Sequence, residues 1–308
     1  MGLHIQHLLG LEGVSKEDLT LILDTADSFY QVLERDIPVV PTLRGKTIVN
    51  LFYENSTRTR ISFELAEKRL SASPLNFSVS TSSINKGESL RDTIQNIEAM
   101  KIDMVVVRHG SAGVPYFLTK CTDAVIVNAG DGLHEHPTQA LLDMMTIRRK
   151  FGKLEGLKVA IIGDIFHSRV ARSNAWGMTT MGMNVVLCGP PTLLPQHLDS
   201  LGVTITDNLD EALDGADVVM LLRIQLERQS SGVFPSIREY RDRYGIDIEK
   251  MAYLRPDVMI MHPGPVNRGI EMSSDVADGP NSVILKQVTN GVAVRMAALY
   301  LLGGGESV

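Results

Sequence analysis

The chain has 308 residues, 44% hydrophobic and 21% charged, with a formal net charge of −6 at pH 7. That length allows two domains with separate cores, and the apolar share rules out a disordered chain. The acidic balance weighs against nucleic acid or an anionic membrane as the main partner, so any anion site must be a concentrated basic pocket.

Only Cys121 and Cys188 occur, far apart and outside any metal-ligand spacing, which suggests neither a disulfide framework nor a zinc site. The expected compartment is reducing and cytoplasmic: no secretory leader is visible, and no run approaches the roughly 18 apolar residues of a membrane span. In chain order, Ser15 reads as an N-cap with Asp18 following, and Leu19, Ile22, Leu23, Ala26, Phe29, Tyr30 and Leu33 fall on one face of a predicted amphipathic helix. Apolar bursts follow: TIVNLFY, DMVVV and AVIVN, then KVAIIG, NVVLC, ADVVM and DVMIM. Continuous Val/Ile runs separated by helices predict parallel strands buried on both faces, hence an α/β chain of two doubly wound parallel-sheet domains. The domain change is expected at the helix between the two sets, giving residues 1–136 and 137–283; a last helix, 284–302 with its tail to 308, has no strand after it and packs back on the first domain.

In open parallel sheets ligands bind beyond the carboxyl ends of the strands. After TIVNLFY comes STRT at a predicted helix N-terminus, where free amides and the dipole favour an anion, with Ser56 or Thr57 able to cap. Arg58 and Arg60 would point about 200° apart on a helix, so Arg58 is assigned to the ligand and Arg60 to a structural ion pair. DMVVV is followed by Arg108 and His109, a weak signal alone. AVIVN leads to GDGLHEHPTQ, where Pro137 reads as the first helical residue, His136 as the cap and Gln139 as a neighbour on the same side. His134 and His136 supply two ligand groups and no third at a recognisable spacing, so no metal is expected and His134 reads as structural.

After KVAII, GDIFHSRVARS holds one glycine, Gly163, and lacks G-x-G-x-x-G, which disfavours a dinucleotide; Arg169 and Arg172 on the next helix could instead hold a carboxylate. After ADVVM, Arg223 and Gln225 share one face of an extended segment, with a solvated loop equally open; Arg228 would pair Glu227 or act as an outer charge. The loop MHPGPVNRG, with prolines around Gly264, suits a rigid turn that accommodates a cis peptide, and STSSINKGES carries Lys86 in either a lid or a plain loop.

These motifs, in this order and over nearly the whole chain, resemble the aspartate/ornithine carbamoyltransferase family: STRTR (56–60), Ser82 and Lys86 before GE, RH (108–109), HPTQ (136–139), GD through Arg169, RIQLER (223–228) and HPGP (262–265). STRTR followed by HPxQ is the specific pair. Ornithine enzymes carry Cys in HPxQ together with SMG and HCLP signatures, whereas this chain has Thr138, RIQ and HPGP, so it is most similar to aspartate carbamoyltransferase catalytic chains. Asn55, where many relatives have proline, is a small departure.

The resemblance implies an interdomain active-site cleft and transfer of the carbamoyl group of carbamoyl phosphate to the α-amine of L-aspartate, in pyrimidine biosynthesis, with no cofactor. It implies that Ser56, Thr57, Arg58 and Thr59 hold the phosphoryl group, that Thr59, Arg108 and His136 donate to the carbonyl oxygen, and that Gln139 binds the carbamoyl NH₂. Arg169, Arg223, Gln225 and Lys86 would orient the aspartate carboxylates, and Gly264 and Pro265 would offer backbone carbonyls to the amine. Ser82 and Lys86 would reach a neighbouring subunit's site, implying a homotrimer that works alone, with regulatory chains or with a dihydroorotase-like partner. The alternatives are another amine acceptor or a non-catalytic anion-binding relative.

Overall fold

A computed structural model describes residues 2–78, 88–195, 198–224 and 236–305. The chain forms two compact units, Met1–Met145 with Thr289–Val308, and Thr146–Val288. The divisions fall inside helices, after Met145 and after Val288, rather than at 136/137 and 283/284. A helix continues its backbone hydrogen bonds through such a point, so no turn residue marks it.

In the first unit β1 (Thr47–Phe52), β2 (Ser73–Ser78), β3 (Met104–His109) and β4 (Val125–Asp131) form a parallel sheet in the order β2-β1-β3-β4. Its helices are α1 (Lys16–Leu33), α2 (Thr57–Arg69), α3 (Leu90–Glu98), α4 (Val114–Leu118), the start of α5 (Pro137–Phe151) and most of α11 (Ile284–Leu302). Ser15 caps α1 by accepting from the Asp18 amide at 3.0 Å. Val49, Leu51, Val105, Val107 and Ile126 pack with Ile94 and Ile97 of α3 on one side of the sheet. The α1 stripe buries Val32 where Tyr30 and Leu33 were expected; both of those are half-buried.

The second unit holds β5 (Lys158–Ile162), β6 (Asn184–Cys188), β7 (Thr204–Thr206), β8 (Val218–Leu221) and β9 (Met259–Met261), parallel and ordered β7-β6-β5-β8-β9. Between them run α6 (Arg169–Thr180), α7 (Leu209–Leu213), α8 (Ile237–Tyr244), α9 (Ile248–Met251) and, after β9, α10 (Ser274–Ala277). Ala160, Ile162, Val219, Leu221 and Ile260 pack with Tyr240 and Tyr244 of α8. The two strands outside the predicted set, β2 and β7, are both sheet edges. β4 and β9 also end their sheets but are buried, whereas no described residue of β2 or β7 is buried and β2 tolerates Pro74, so these two show no continuous apolar run.

The polar residue inside TIVNLFY has a structural purpose. Asn50, fully buried, donates from Nδ2 to Glu67 Oε2 of α2 at 2.8 Å, tying helix to sheet behind the STRT turn. Burial pushes the Glu67 carboxyl up to about 8, against the opposing effect of the Asn50 hydrogen bond. The folded state therefore keeps a proton that the unfolded chain releases near its ordinary carboxylate pKa, so stability falls as pH rises from about 4.5 to about 8. Urea unfolding of Glu67→Gln across that window is expected to give a flatter pH profile than the parent chain; parallel profiles would show that Glu67 stays ionised in the fold.

Candidate active site

Each sheet has one place where the strand order reverses, between β1 and β3 in the first unit and between β5 and β8 in the second. Connections leave toward opposite faces there, and a crevice opens beyond the strand ends. The arginines picked out in the sequence lie at or beyond the carboxyl ends of these four strands.

At the first reversal, Ser56 takes the N-cap position of α2, but its side chain makes no capping hydrogen bond, contrary to one of the two capping options. Thr57, Arg58 and Thr59 form the first turn, with Thr59 buried and Arg58 accessible. Surrounding protein nevertheless displaces enough water to lower the Arg58 pKa. The helix start thus presents amides, hydroxyls and a guanidinium together, the chemistry of an oxyanion site. Arg60 is exposed and forms no buried ion pair; its charge helps the nearer Lys68, 2.7 Å away, to hold the Glu64 carboxyl low.

Arg108 is register partner to Phe52, and its carbonyl accepts from the Tyr53 amide at 2.8 Å, which joins it to the segment leading into STRT. Between the pairs Val107↔Asn128 and His109↔Asp131 the register slips by one residue, so that Ala129 and Gly130 on β4 oppose Arg108 alone, with Gly130 at φ 116°. The bulge turns out the Ala129 carbonyl, and Arg108 Nη1 donates to it at 3.0 Å. Arg108 Nε also lies 3.3 Å from Glu54 Oε2. Both contacts fix the guanidinium at the strand end.

Past the bulge, Asn128 and Asp131 fold the loop that carries HEHPTQ. Asn128 Nδ2 donates to Asp131 Oδ1 at 2.8 Å and to the Glu135 carbonyl at 3.3 Å, while its Oδ1 accepts from the Gly130 amide at 2.7 Å. Burial tends to raise the Asp131 pKa, but hydrogen bonds from His134, Gly113 and Asn128 outweigh it and keep the carboxyl below its usual value. His134 lies 3.2 Å from that carboxylate. His136 is buried immediately before Pro137 opens α5, and the Gln139 amide donates to its carbonyl at 3.0 Å. His136 and Gln139 thus sit at the start of α5, one strand over from Arg108.

In the second unit α6 begins at Arg169, which is buried, and Ser168 caps the helix by accepting from the Ala171 amide at 3.1 Å. Arg172, on the same turn, is half-buried. A Cβ on Gly163, at φ 135°, would stand 3.0 Å from the Leu222 carbonyl oxygen. That glycine therefore serves the approach of the β8 exit rather than a pyrophosphate. Arg223 follows β8 and is half-buried. After β9, Gly264–Pro265 is cis and the Gly264 amide donates to His262 Nδ1 at 2.7 Å. Glu271, fully buried, links the two segments: Oε1 accepts from the Ile224 amide at 2.9 Å and Asn267 Nδ2 at 2.8 Å, and Oε2 from the Asn267 amide at 2.7 Å. Arg223 and the cis turn are held together through this one side chain.

Ser82, Lys86, Gln225, Glu227 and Arg228 lie outside the described residues. Sequence reading missed Glu54, Asn128, Asp131 and Glu271, whose partners are mostly backbone groups that leave no spacing signal. Among the described residues one group has metal-compatible geometry, Glu12, His134 and Glu135. The Glu135 carboxylate there accepts from the Leu11 amide at 2.8 Å and the Glu12 amide at 3.2 Å, so its role in the fold is to staple the N-terminal segment. Among the described residues, no helix is long and apolar enough to cross a membrane.

Family profiles match both halves of the chain: "Aspartate/ornithine carbamoyltransferase, carbamoyl-P binding domain" over residues 6–149 and "Aspartate/ornithine carbamoyltransferase, Asp/Orn binding domain" over 155–302. The chain is 58% identical over its full length to the aspartate carbamoyltransferase catalytic subunit of Syntrophotalea carbinolica, covering 98% of that protein. Aspartate transcarbamoylase from Trypanosoma cruzi, solved with carbamoyl phosphate and aspartate, superposes with a TM-score of 0.87 at 32% identity, covering 96% of this chain and 95% of that one. Ornithine carbamoyltransferase from Pyrococcus furiosus gives the same TM-score, 0.87, at 29% identity, with 99% of each chain covered. With both halves matched and the whole length shared with such relatives, the chain belongs to the aspartate/ornithine carbamoyltransferase family.

Proposed function

We propose that the protein is an aspartate carbamoyltransferase, moving the carbamoyl group of carbamoyl phosphate to the α-amine of L-aspartate to give N-carbamoyl-L-aspartate and phosphate, a step of pyrimidine synthesis. The observation that carries this is the 58% full-length identity to a catalytic subunit of that name. The guanidinium-bearing strand ends at both sheet reversals support it. Fold alone does not select the acceptor, because the ornithine enzyme superposes equally well. Thr138 and the HPGP turn favour aspartate, as do Arg169 and Arg223, which suit a dicarboxylate and would repel a cationic side chain.

In this reading Ser56, Thr57, Arg58 and Thr59 hold the phosphoryl oxygens with the first amides of α2. Thr59, Arg108 and His136 donate to the carbonyl oxygen, and their attraction strengthens as it becomes an oxyanion. Gln139 receives the carbamoyl NH₂. Arg169 and Arg223, with Gln225 and Lys86, orient the aspartate carboxylates, and the carbonyls of Gly264 and Pro265 accept from its amine. The neutral amine attacks the carbamoyl carbon, a tetrahedral intermediate forms, and the C–O bond to phosphate breaks; the departing phosphate takes the amine proton. No covalent intermediate on the protein is required. Positioning the two reactants can lower the barrier by about 7–11 kcal/mol, and one oxyanion donor accounts for roughly 100- to 1000-fold in rate.

The working unit is proposed to be a cytoplasmic homotrimer in which Ser82 and Lys86 complete a neighbour's site. Two measurements test the scheme. Arg58→Ala is expected to keep its circular dichroism and unfolding midpoint while losing at least about 100-fold in turnover; near-normal carbamoylation would reject the phosphate assignment. Mixing inactive Lys86→Ala and Arg58→Ala chains should regain activity, because some sites would then be assembled from two intact contributions. No recovery after verified subunit exchange would rule out shared sites.

A further inference from the structure

A buried polar network lies behind the α5 and α2 helix starts. Gln139 Nε2 donates to Asp143 Oδ1 at 3.0 Å, one turn further along α5, and Asp143 is fully buried. Arg295 of α11, also buried, donates from Nη1 to Ser62 Oγ at 2.9 Å and to the Gly291 carbonyl at 3.0 Å, with its guanidinium 5.0 Å from the Phe63 ring. Three helices of the first unit, α2, α5 and α11, thus converge on a cation and a carboxylate that the proposed chemistry does not use.

We infer that Asp143 is a positioning residue that fixes which way the Gln139 amide faces, with the Arg295 guanidinium as the neighbouring positive charge that keeps Asp143 ionised in the interior. The inference rests on the carbamoyl phosphate reading and extends it. A carboxamide has a donor branch and an acceptor branch of nearly equal shape, and nothing in a helix turn chooses between them. An ionised carboxylate accepts only. Facing one across 3.0 Å, Gln139 must turn Nε2 toward Asp143, which leaves Oε1 as the branch available to a ligand. An acceptor suits the NH₂ of a carbamoyl group and offers nothing to the methyl of an acetyl group, so the network sets donor specificity.

A buried carboxylate persists only beside compensating charge. Burial above all, and Arg58 beside it, lower the Arg295 pKa and Asp143 raises it, leaving it at about 10, so at neutral pH the group remains a cation within electrostatic reach of both. Space has been left for it. A Cβ on Gly291 would stand 2.6 Å from Arg295 Nη1 and 3.0 Å from Leu142 Cδ2, although a glycine inside a helix is locally unfavourable.

The test compares carbamoyl phosphate, acetyl phosphate and inorganic phosphate as ligands of the whole protein, in wild type, Asp143→Asn, Asp143→Glu and Gln139→Ala. In Asp143→Asn the neutral partner amide can give or take a hydrogen bond, so the imposed orientation is lost. Binding of carbamoyl phosphate is expected to weaken by about tenfold with little change for the other two, and Asp143→Glu should restore part of it. Equal weakening of all three ligands, or no weakening in Asp143→Asn where Gln139→Ala does weaken, overturns the inference and leaves the proposed function standing. A wild-type protein that prefers carbamoyl phosphate no more than acetyl phosphate would sink both. One measurement needs no Asp143 variant: the Gln139 side-chain NH₂ protons, identified by their loss in Gln139→Ala, should exchange slowly with water in the wild type, and fast exchange would contradict the carboxylate clamp.

Discussion

Two reversals of strand order, one in each parallel sheet, are the constraint on which the rest of this chain depends. A parallel strand can be followed only by a crossover, and crossovers on either side of a reversal run to opposite faces. The segments that follow β1 and β3, and those that follow β5 and β8, are therefore left with open space between them. Arg58 follows β1 and Arg108 ends β3 beside His109, and Arg169 and Arg223 follow β5 and β8. Free amides at the starts of α2, α5 and α6 add partial positive charge that desolvation would otherwise make costly to collect in an acidic protein.

Neutral and anionic side chains hold this charge in place from behind. Glu54 and the bulged Ala129 carbonyl restrain Arg108, Asn128 and Asp131 shape the loop before α5, and Glu271 ties the exit of β8 to the cis turn after β9. Each of these groups answers donors at the strand ends, so the functional turns are rigid where their chemistry requires alignment. Preorganised donors of this kind stabilise developing charge without reorganising during the reaction. The fold needs the same groups, because several of their partners are backbone amides that would otherwise be buried unpaired.

Much of this was legible in the sequence. The seven Val/Ile bursts became the buried strands β1, β3, β4, β5, β6, β8 and β9, two of them at sheet edges, because burial of the strand demands apolar residues along its length. Ser15 and Pro137 read correctly as helix-start residues because the chemistry of a helix start is local. The strands β2 and β7 were silent, since unlike the edges β4 and β9 they bury none of their described residues and need no such run. The bulge at Ala129–Gly130 was silent too, because it arises from register with β3 rather than from local preference. Arg60 shows the limit of charge reading: helical spacing correctly separates it from Arg58, but does not provide it with a buried partner. Family and acceptor assignment drew on whole motifs, STRTR with HPTQ and HPGP, and not on any single side chain.

Since the fold accommodates either acceptor, the chemistry of the second unit carries the central claim. The most direct measurement is radiolabelled carbamoyl transfer by the purified chain with L-aspartate and L-ornithine competing at equal concentration. A basic, dicarboxylate-suited set of strand ends predicts labelled N-carbamoyl-L-aspartate as the dominant product. Dominant labelled citrulline, or no transfer to either amine by a folded protein, would contradict the account.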